Sequence, residues 1–234
     1  MKEYLTTALQ KWNISLEEKQ IEALLSYVSL LLEYNRHTNL TAIREEKAVL
    51  EKHILDSLLL QEFIPKEAKT AIDIGTGAGF PGMVLAICNP HLQFTLMDSV
   101  GKKTKFLEIV KEHLQLENVE VVNARAEDYI QISKRREYYD LGFCRGVSKL
   151  AVILEYMIPF LKVGALFLPQ KMVGTEEEKE AKKALQVLKS SMQEEYIRQL
   201  PYSQDKRLIL KIRKQEKTEK KYPRKAGVIT KKPL

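Results

Sequence analysis

The sequence predicts an α/β fold: a doubly wound, mostly parallel Rossmann-like sheet preceded by an N-terminal helical extension. Three observations carry this reading. From Thr70 onward, short apolar runs alternate with amphipathic stretches, the pattern of a parallel sheet covered on both faces. A glycine-rich turn, "GTGAGFPG", follows directly on the first of those runs. The first 62 residues, by contrast, read as helices.

Taken in order, Ile21, Leu24, Leu25, Val28, Leu31 and Leu32 recur at helical spacing, and Ser15 with Glu18 reads as a capping box ahead of them. "NLTAI" (39–43) breaks the pattern, and a third helix is predicted over about Glu45 to Gln61. The strand–helix alternation then begins. "TAIDI" (70–74) precedes a helix from about Pro81, and "QFTLMD" (93–98) one from about Lys102. "VEVVN" (119–123) leads to a short helical turn, and "YDLGFCR" (139–145) to a helix reaching about Phe160. "GALFLPQ" (164–170) precedes a helix from about Thr175, and "RLILKIR" (207–213) closes the series. The last stretch, "KQEKTEKKYPRKAGVITKKPL", has little apolar content and is expected to be mobile or ordered by a partner. The chain thus divides into a helical extension (1–62), an α/β domain (63–214) and a basic C-terminal tail (215–234), with no internal repeat.

Hydrophobic residues make up 44% of the 234, enough for a core. No apolar run approaches the roughly 18 residues that cross a bilayer. The opening "MKEYLTTALQKWN" lacks an apolar h-region and a cleavage site, so a cytoplasmic location is expected. Cys88 and Cys144 stand far apart with no C-x-x-C pair, and His37, His91 and His113 are not paired into a cluster, so neither disulfide nor metal is expected. The net charge of +7 is uneven: residues 206–234 hold 12 Lys or Arg against two Glu. A cationic end on a near-neutral body fits a polyanion such as nucleic acid, or a solvated tail.

Gly75, Gly77 and Gly79 form G-x-G-x-G after the first strand, where ligands of this fold bind. One frame later, Gly77, Gly79 and Gly82 satisfy the dinucleotide pattern G-x-G-x-x-G. No Lys-Ser/Thr pair follows, which argues against a P-loop. Asp98 ends the second strand, where a carboxylate accepts from both ribose hydroxyls or caps the next helix. Asp73 lies two residues before Gly75, able to anchor the loop or face a cationic group. In "NARAEDY", the Ala126 N–H can meet an adenine ring and Glu127 its exocyclic amine. Acids after three successive strands suit a cationic cofactor without phosphates better than a pyrophosphate. Arg145 ends the fourth strand, as a ligand contact or as half of a structural ion pair. His53, Asp56 and Ser57 share one face of one helix, so a hydrolase triad is rejected in favour of an interface between extension and α/β domain.

Together, "NLTAI", "HILDSL", "DIGTGAGFPG", "MDSVGKKTKFL", "NARAED", the Arg of "FCRG" and "YPRKAG…KKPL" resemble the ribosomal RNA small subunit methyltransferase G family, also called glucose-inhibited division protein B. The resemblance spans almost the whole chain. It implies a class I methyltransferase that uses S-adenosyl-L-methionine to methylate N7 of a guanine in bacterial 16S rRNA. Its partner would be small-subunit rRNA or the 30S subunit, with no membrane and no metal, and the protein a monomer. By the same resemblance Gly75, Phe80, Ala126 and Glu127 would hold the cofactor, with Arg145 lining the site. Gly77, Gly79 and Asp98 follow from the shared methyltransferase architecture. The extension, with Asn39 and His53, is similar to the family's cover over the pocket. Departures fall at Cys144-Arg145-Gly146, where the family often has A-R-A; at Met172, where it tends to have Gly after Lys171; and at Val228-Ile229, in place of Thr-Pro.

Guanine N7 has an in-plane lone pair and no proton to lose, so no general base is expected. Phe80 and Arg145 are candidates to stack on the base. Arg145→Ala is expected to cut turnover more than stability. Deleting 217–234 is expected to weaken RNA binding and spare cofactor binding. An NAD-dependent oxidoreductase on the same fold, a non-catalytic assembly factor, and a methyltransferase of protein or tRNA are the rival readings of the residues.

Overall fold

The computed structural model describes residues 1–174 and 177–234. Helices α1 (Lys2–Lys11) and α2 (Glu18–Thr38) open the chain, and α3 (Glu46–Val49) runs through a wide π-helical turn, Leu50–Leu55, into α4 (Asp56–Leu58). Then follow β1 (Thr70–Ile74), α5 (Gly82–Cys88), β2 (Gln93–Asp98), α6 (Gly101–His113), β3 (Val119–Asn123), α7 (Ala126–Ile132) and β4 (Tyr139–Arg145). The second half holds α8 (Leu150–Met157), β5 (Leu161–Met172), α9 (Glu177–Glu180), α10 (Lys182–Val187), β6 (Ser190–Gln199), β7 (Lys206–Lys214) and α11 (Ala226–Lys231).

The strands form one sheet in the order β3-β2-β1-β4-β5-β7-β6. β1 to β5 run parallel, and β7 lies antiparallel to both β5 and β6. Strand order reverses between β1 and β4, so the ligand crevice opens at the carboxyl ends of these two strands. Side-chain alternation splits the core: Ala71, Leu141 and Phe143 face one apolar cluster, Ile72, Ile74 and Cys144 the other. The first cluster also takes Leu5, Leu24, Tyr27, Leu31 and Leu50, so the N-terminal helices are packed directly on the sheet.

Four local features differ from the sequence reading. The capping box of α2 is Glu17 with Gln20, not Ser15 with Glu18. Gln20 accepts from the Glu17 N–H at 2.8 Å and donates to the Cys88 carbonyl at 3.0 Å, tying the start of α2 to the end of α5. The third helix contains the π turn. β6 reads poorly in sequence because it is a partly exposed edge strand in which charged residues interrupt the alternation. The helix placed from Thr175 has its start outside the described residues; α9 and α10 are its described part.

The largest difference is the C-terminal segment, which is docked. Lys214 is fully buried and donates to Glu137 at 3.0 Å and to the Leu161 carbonyl at 2.8 Å. The Thr218 N–H reaches the same Glu137 carboxylate at 3.1 Å. Tyr222 and Ile229 are buried. Composition could not show this, because the acids that match these cations, Glu137 and Glu155, come from distant elements. No helix among the described residues is long and apolar enough to cross a membrane.

Candidate functional site

The β1–α5 loop builds the floor of the crevice. Gly75 has φ +72°, and a Cβ there would lie 2.6 Å from Val147 Cγ2, so both its conformation and its close approach to the β4 end require glycine. The Gly75 and Thr76 N–H groups both donate to the Met97 carbonyl, at 2.8 and 3.1 Å. Gly77 and Gly79 continue the turn at φ +65° and +105°. Tyr27 of α2 donates its hydroxyl to the Ala78 carbonyl, so the helical extension holds the loop from outside.

Three carboxylates act on this loop and its neighbours. Asp73 Oδ2 accepts from the Gly82 N–H at 2.8 Å, at the start of α5. Burial pushes the Asp73 carboxyl up to about 7, against the opposing pull of the Thr76 hydroxyl, the Gly82 N–H and Arg145. Asp98 Oδ2 accepts from the Gly77 N–H and Oδ1 from the Val100 N–H, each at 2.9 Å, so it ties the glycine loop to the residue that precedes α6. Lys103 Nζ also reaches Asp98 Oδ2, at 3.4 Å, which leaves Oδ1 with a lone pair for a ligand. Glu127 stands in the first turn of α7, where the leading N–H groups have no partner within the helix.

The ends of β1 to β4 enclose a cavity of about 610 Å³. Gly75, Asp98, Ala126 and Glu127 line it together with Lys103, Arg125, Gly146, Val147, Tyr156 and three residues of α11. Gly77, Gly79 and Phe80, in the same loop, do not line this cavity. Phe80 is buried, stacked on His53 at 4.4 Å and on Tyr27 at 5.4 Å between ring centroids.

A second cavity of about 540 Å³ adjoins the first and shares Gly146 and Val147 with it. Arg145 forms its back. The guanidinium donates to the Lys52 carbonyl and Asp56 Oδ2 at 3.1 Å each, and to His53 Nδ1 at 3.1 Å, and it lies 5.3 Å from the Phe80 ring centre. The π turn aims the Lys52 carbonyl and the His53 ring toward Arg145. A guanidinium only donates, so His53 Nδ1 is bare and the proton sits on Nε2, 2.8 Å from the Thr41 hydroxyl. Burial, then the Arg145 charge, push His53 down to about 3, so it is neutral. Asp56 also accepts from Arg207 Nε at 3.0 Å and Gln170 Nε2 at 2.5 Å. Arg145 is therefore the structural ion-pair partner that the sequence allowed, and it also lines the second cavity.

His53, Asp56 and Ser57 meet the α/β domain as an interface; Ser57 Oγ donates to the His53 carbonyl at 2.6 Å, away from the imidazole. Lys171 donates to the Ser148 carbonyl and pairs with Glu177 at 2.8 Å on the rim of the second cavity. Asn39 is the left-handed C-cap of α2, its side chain accepting from Arg44 at 2.7 Å. Val147, Tyr156, Gln170, Arg207 and the α11 residues in the cavity walls escape a reading of the sequence. Only "YPRKAG" points at α11, and its charge points to RNA. Among the described residues no group of three or more His, Cys, Asp or Glu side chains converges to hold a metal ion.

The site fits an adenosyl sulfonium and not a dinucleotide. A dinucleotide would place its pyrophosphate on the first helix N-terminus after β1. Here the Asp73 carboxylate already occupies the N–H at that position, 2.8 Å from Gly82.

Comparison with known proteins agrees. The family model described as rRNA small subunit methyltransferase G matches residues 20–210. A protein named Ribosomal RNA small subunit methyltransferase G from Fusobacterium nucleatum subsp. nucleatum is 59% identical over 234 residues, covering all of both chains. One of the same name from Alkaliphilus oremlandii is 44% identical, over 100% of this chain and 99% of its own. Among solved structures, a SAM dependent methyltransferase from Aquifex aeolicus superposes with TM-score 0.53 at 20% identity, over 70% of this chain and 92% of its own. M. jannaschii TYW2 in complex with AdoMet gives TM-score 0.55 at 14% identity, over 69% and 76%. These two likenesses speak for the fold.

Proposed function

This chain belongs to the rRNA small subunit methyltransferase G family, and from that premise we propose that it transfers a methyl group from S-adenosyl-L-methionine to N7 of a guanine in 16S rRNA. The observation that supports this most is the pair of joined cavities. One carries Asp98, Glu127 and Gly75 of the glycine loop; the other carries Arg145, His53 and Lys171; and both meet at Gly146–Val147.

In this reading Gly75, Asp98, Ala126 and Glu127 hold S-adenosylmethionine, with Gly77, Gly79 and Phe80 shaping the loop behind them. When bound, the cofactor supplies an electrophilic methyl group on sulfur. Asp98 accepts from ribose hydroxyls, the first turn of α7 offers its N–H groups to the adenine edge, and Asp73 holds the glycine loop to the start of α5.

The second cavity receives the base. Its groups suit an acceptor that loses no proton. His53 is neutral, with both nitrogens engaged. Neither cysteine lines this cavity: Cys88 is buried, with its thiol pushed up to about 12 by desolvation, and the Cys144 thiol is buried and raised for the same reason. None of these is poised as a general base. Catalysis then comes from alignment and exclusion of water, which supply roughly 7–11 kcal/mol where geometry is good. Arg145, stacked over Phe80 and fixed by Asp56, offers a rigid back against which a splayed-out base can rest.

Residues 1–62 serve as the cover, 63–214 as the cofactor domain and 215–234 as the basic segment toward RNA. The protein works as a monomer in the cytoplasm, on small-subunit rRNA or the 30S subunit. Calorimetric titration tests the cofactor: saturable binding of S-adenosylmethionine and none of NADH is expected. The reverse would overturn the reading in favour of an oxidoreductase.

A further inference from the structure

The basic C-terminal segment is fixed by a buried carboxylate. Glu155, on α8, is fully buried and takes three donors from one residue. Arg224 gives it the backbone N–H at 2.8 Å, Nε at 2.8 Å and an NH2 nitrogen at 2.6 Å. The same guanidinium donates to the Lys232 carbonyl at 3.1 Å, which closes the loop around α11. Arg136 donates to the Tyr222 carbonyl, and Ile229 is buried as α11 packs on α8. Charge-assisted, forked bonds to a desolvated acid are strong and geometrically specific.

Held this way, the segment turns Ala226, Gly227 and Thr230 toward the cavity of Asp98 and Glu127. Gly227 differs from its neighbours. It lies within α11, yet a Cβ built on it would meet no protein atom within 4 Å. Gly227 stands exposed in the first turn of α11, and without a side chain its backbone is open to close approach by a ligand in the cavity. Beyond Gly227 the cavity continues as a groove of about 490 Å³ lined by Arg125, Pro223 and Lys225. Lys220, Lys221, Lys225, Lys231 and Lys232 are exposed on this segment.

We propose that the C-terminal segment is the outer wall of the cofactor cavity, that the Gly227 backbone lies against the bound cofactor, and that Glu155–Arg224 is the positioning pair that latches this wall. The inference rests on reading the cavity as the S-adenosylmethionine site. It replaces the sequence expectation that the tail serves RNA alone. The exposed lysines give the wall an RNA-facing side, so rRNA held there bears on cofactor affinity, and by linkage the effect is reciprocal.

The test uses the full chain and calorimetry with S-adenosylmethionine. Gly227→Leu places a side chain in the cavity without striking protein, and Leu is the better helix former, so the unfolding midpoint should hold or rise. Affinity should fall on the order of tenfold or more, with KM for the cofactor rising in turnover. Arg224→Gln should weaken cofactor binding as well, with Arg224→Lys recovering part of it. Gly75→Val, on the opposite wall, is the control. Loss of binding in Gly75→Val with Gly227→Leu and Arg224→Gln both within about twofold of the parent overturns the inference and leaves the cofactor site standing. No binding by the parent overturns both.

Discussion

Asp73→Asn should make the protein more stable than its parent at pH 8 and leave the two much closer at pH 5. Asp73 is fully buried in β1, an interior strand of the sheet, with Oδ2 committed to the Gly82 N–H at 2.8 Å. Burial pushes its carboxyl up to about 7, whereas in the unfolded chain it returns to the ordinary aspartate range near ~4. Between those two values the folded chain holds a proton that the unfolded chain has released. Stability therefore falls as pH rises through that window and levels off above it. Each pH unit inside the window costs about 1.4 kcal/mol, so from pH 5 to pH 8 the loss is on the order of 3 kcal/mol. Asparagine keeps an oxygen for the Gly82 N–H and has no proton to exchange. Urea unfolding of both proteins at the two pH values reads the difference directly. His53 runs the opposite way: pushed down to about 3, it contributes stability above its unfolded value that is lost as pH falls. That contribution is common to both proteins and cancels. A gap between variant and parent that stays constant within about 1 kcal/mol would refute the reasoning, because Asp73 would then titrate alike in both states.

Arg145→Ala should cost about 3–5 kcal/mol of stability in urea unfolding, contrary to the sequence expectation of a mainly catalytic effect, because it strips a buried carboxylate, a carbonyl and an imidazole of one shared donor. A loss under about 1 kcal/mol would contradict the geometry. Arg145→Lys should recover little, since an ammonium cannot reproduce the fork. Affinity for rRNA should fall with salt, and replacing Lys220, Lys221, Lys231 and Lys232 by Gln should flatten the dependence by roughly 0.7–0.9 in log–log slope for each phosphate no longer neutralised; an unchanged slope would remove these lysines from the RNA interface.

What is legible in the sequence is what depends on near neighbours. "TAIDIGTGAGFPG" carries its strand period, its turn chemistry and its ligand loop in 13 consecutive residues. Asp98 and "NARAE" follow strands whose ends lie side by side in a parallel sheet, so three turns at one sheet edge are enough to assemble one cavity wall. Partnerships across the fold are not legible. Asp56 is 89 residues from Arg145 and 151 from Arg207, and only the docking of the helical extension brings them together. The tail reads as mobile because its own composition is polar, while its order comes from Glu137 and Glu155, carboxylates in other parts of the chain. β6 hides behind the charged residues that protect a sheet edge. The π turn leaves no trace in the apolar period, yet it sets the Lys52 carbonyl and His53 ring on Arg145.

The central claim is methyl transfer to guanine N7 in small-subunit rRNA. The measurement is transfer of labelled methyl from S-adenosylmethionine to 30S subunits that lack the modification, followed by nucleoside analysis of the rRNA. Label in 7-methylguanosine is the expected result. Label in any other nucleoside, or none on 30S subunits, naked 16S rRNA and tRNA by protein that binds the cofactor, would contradict it.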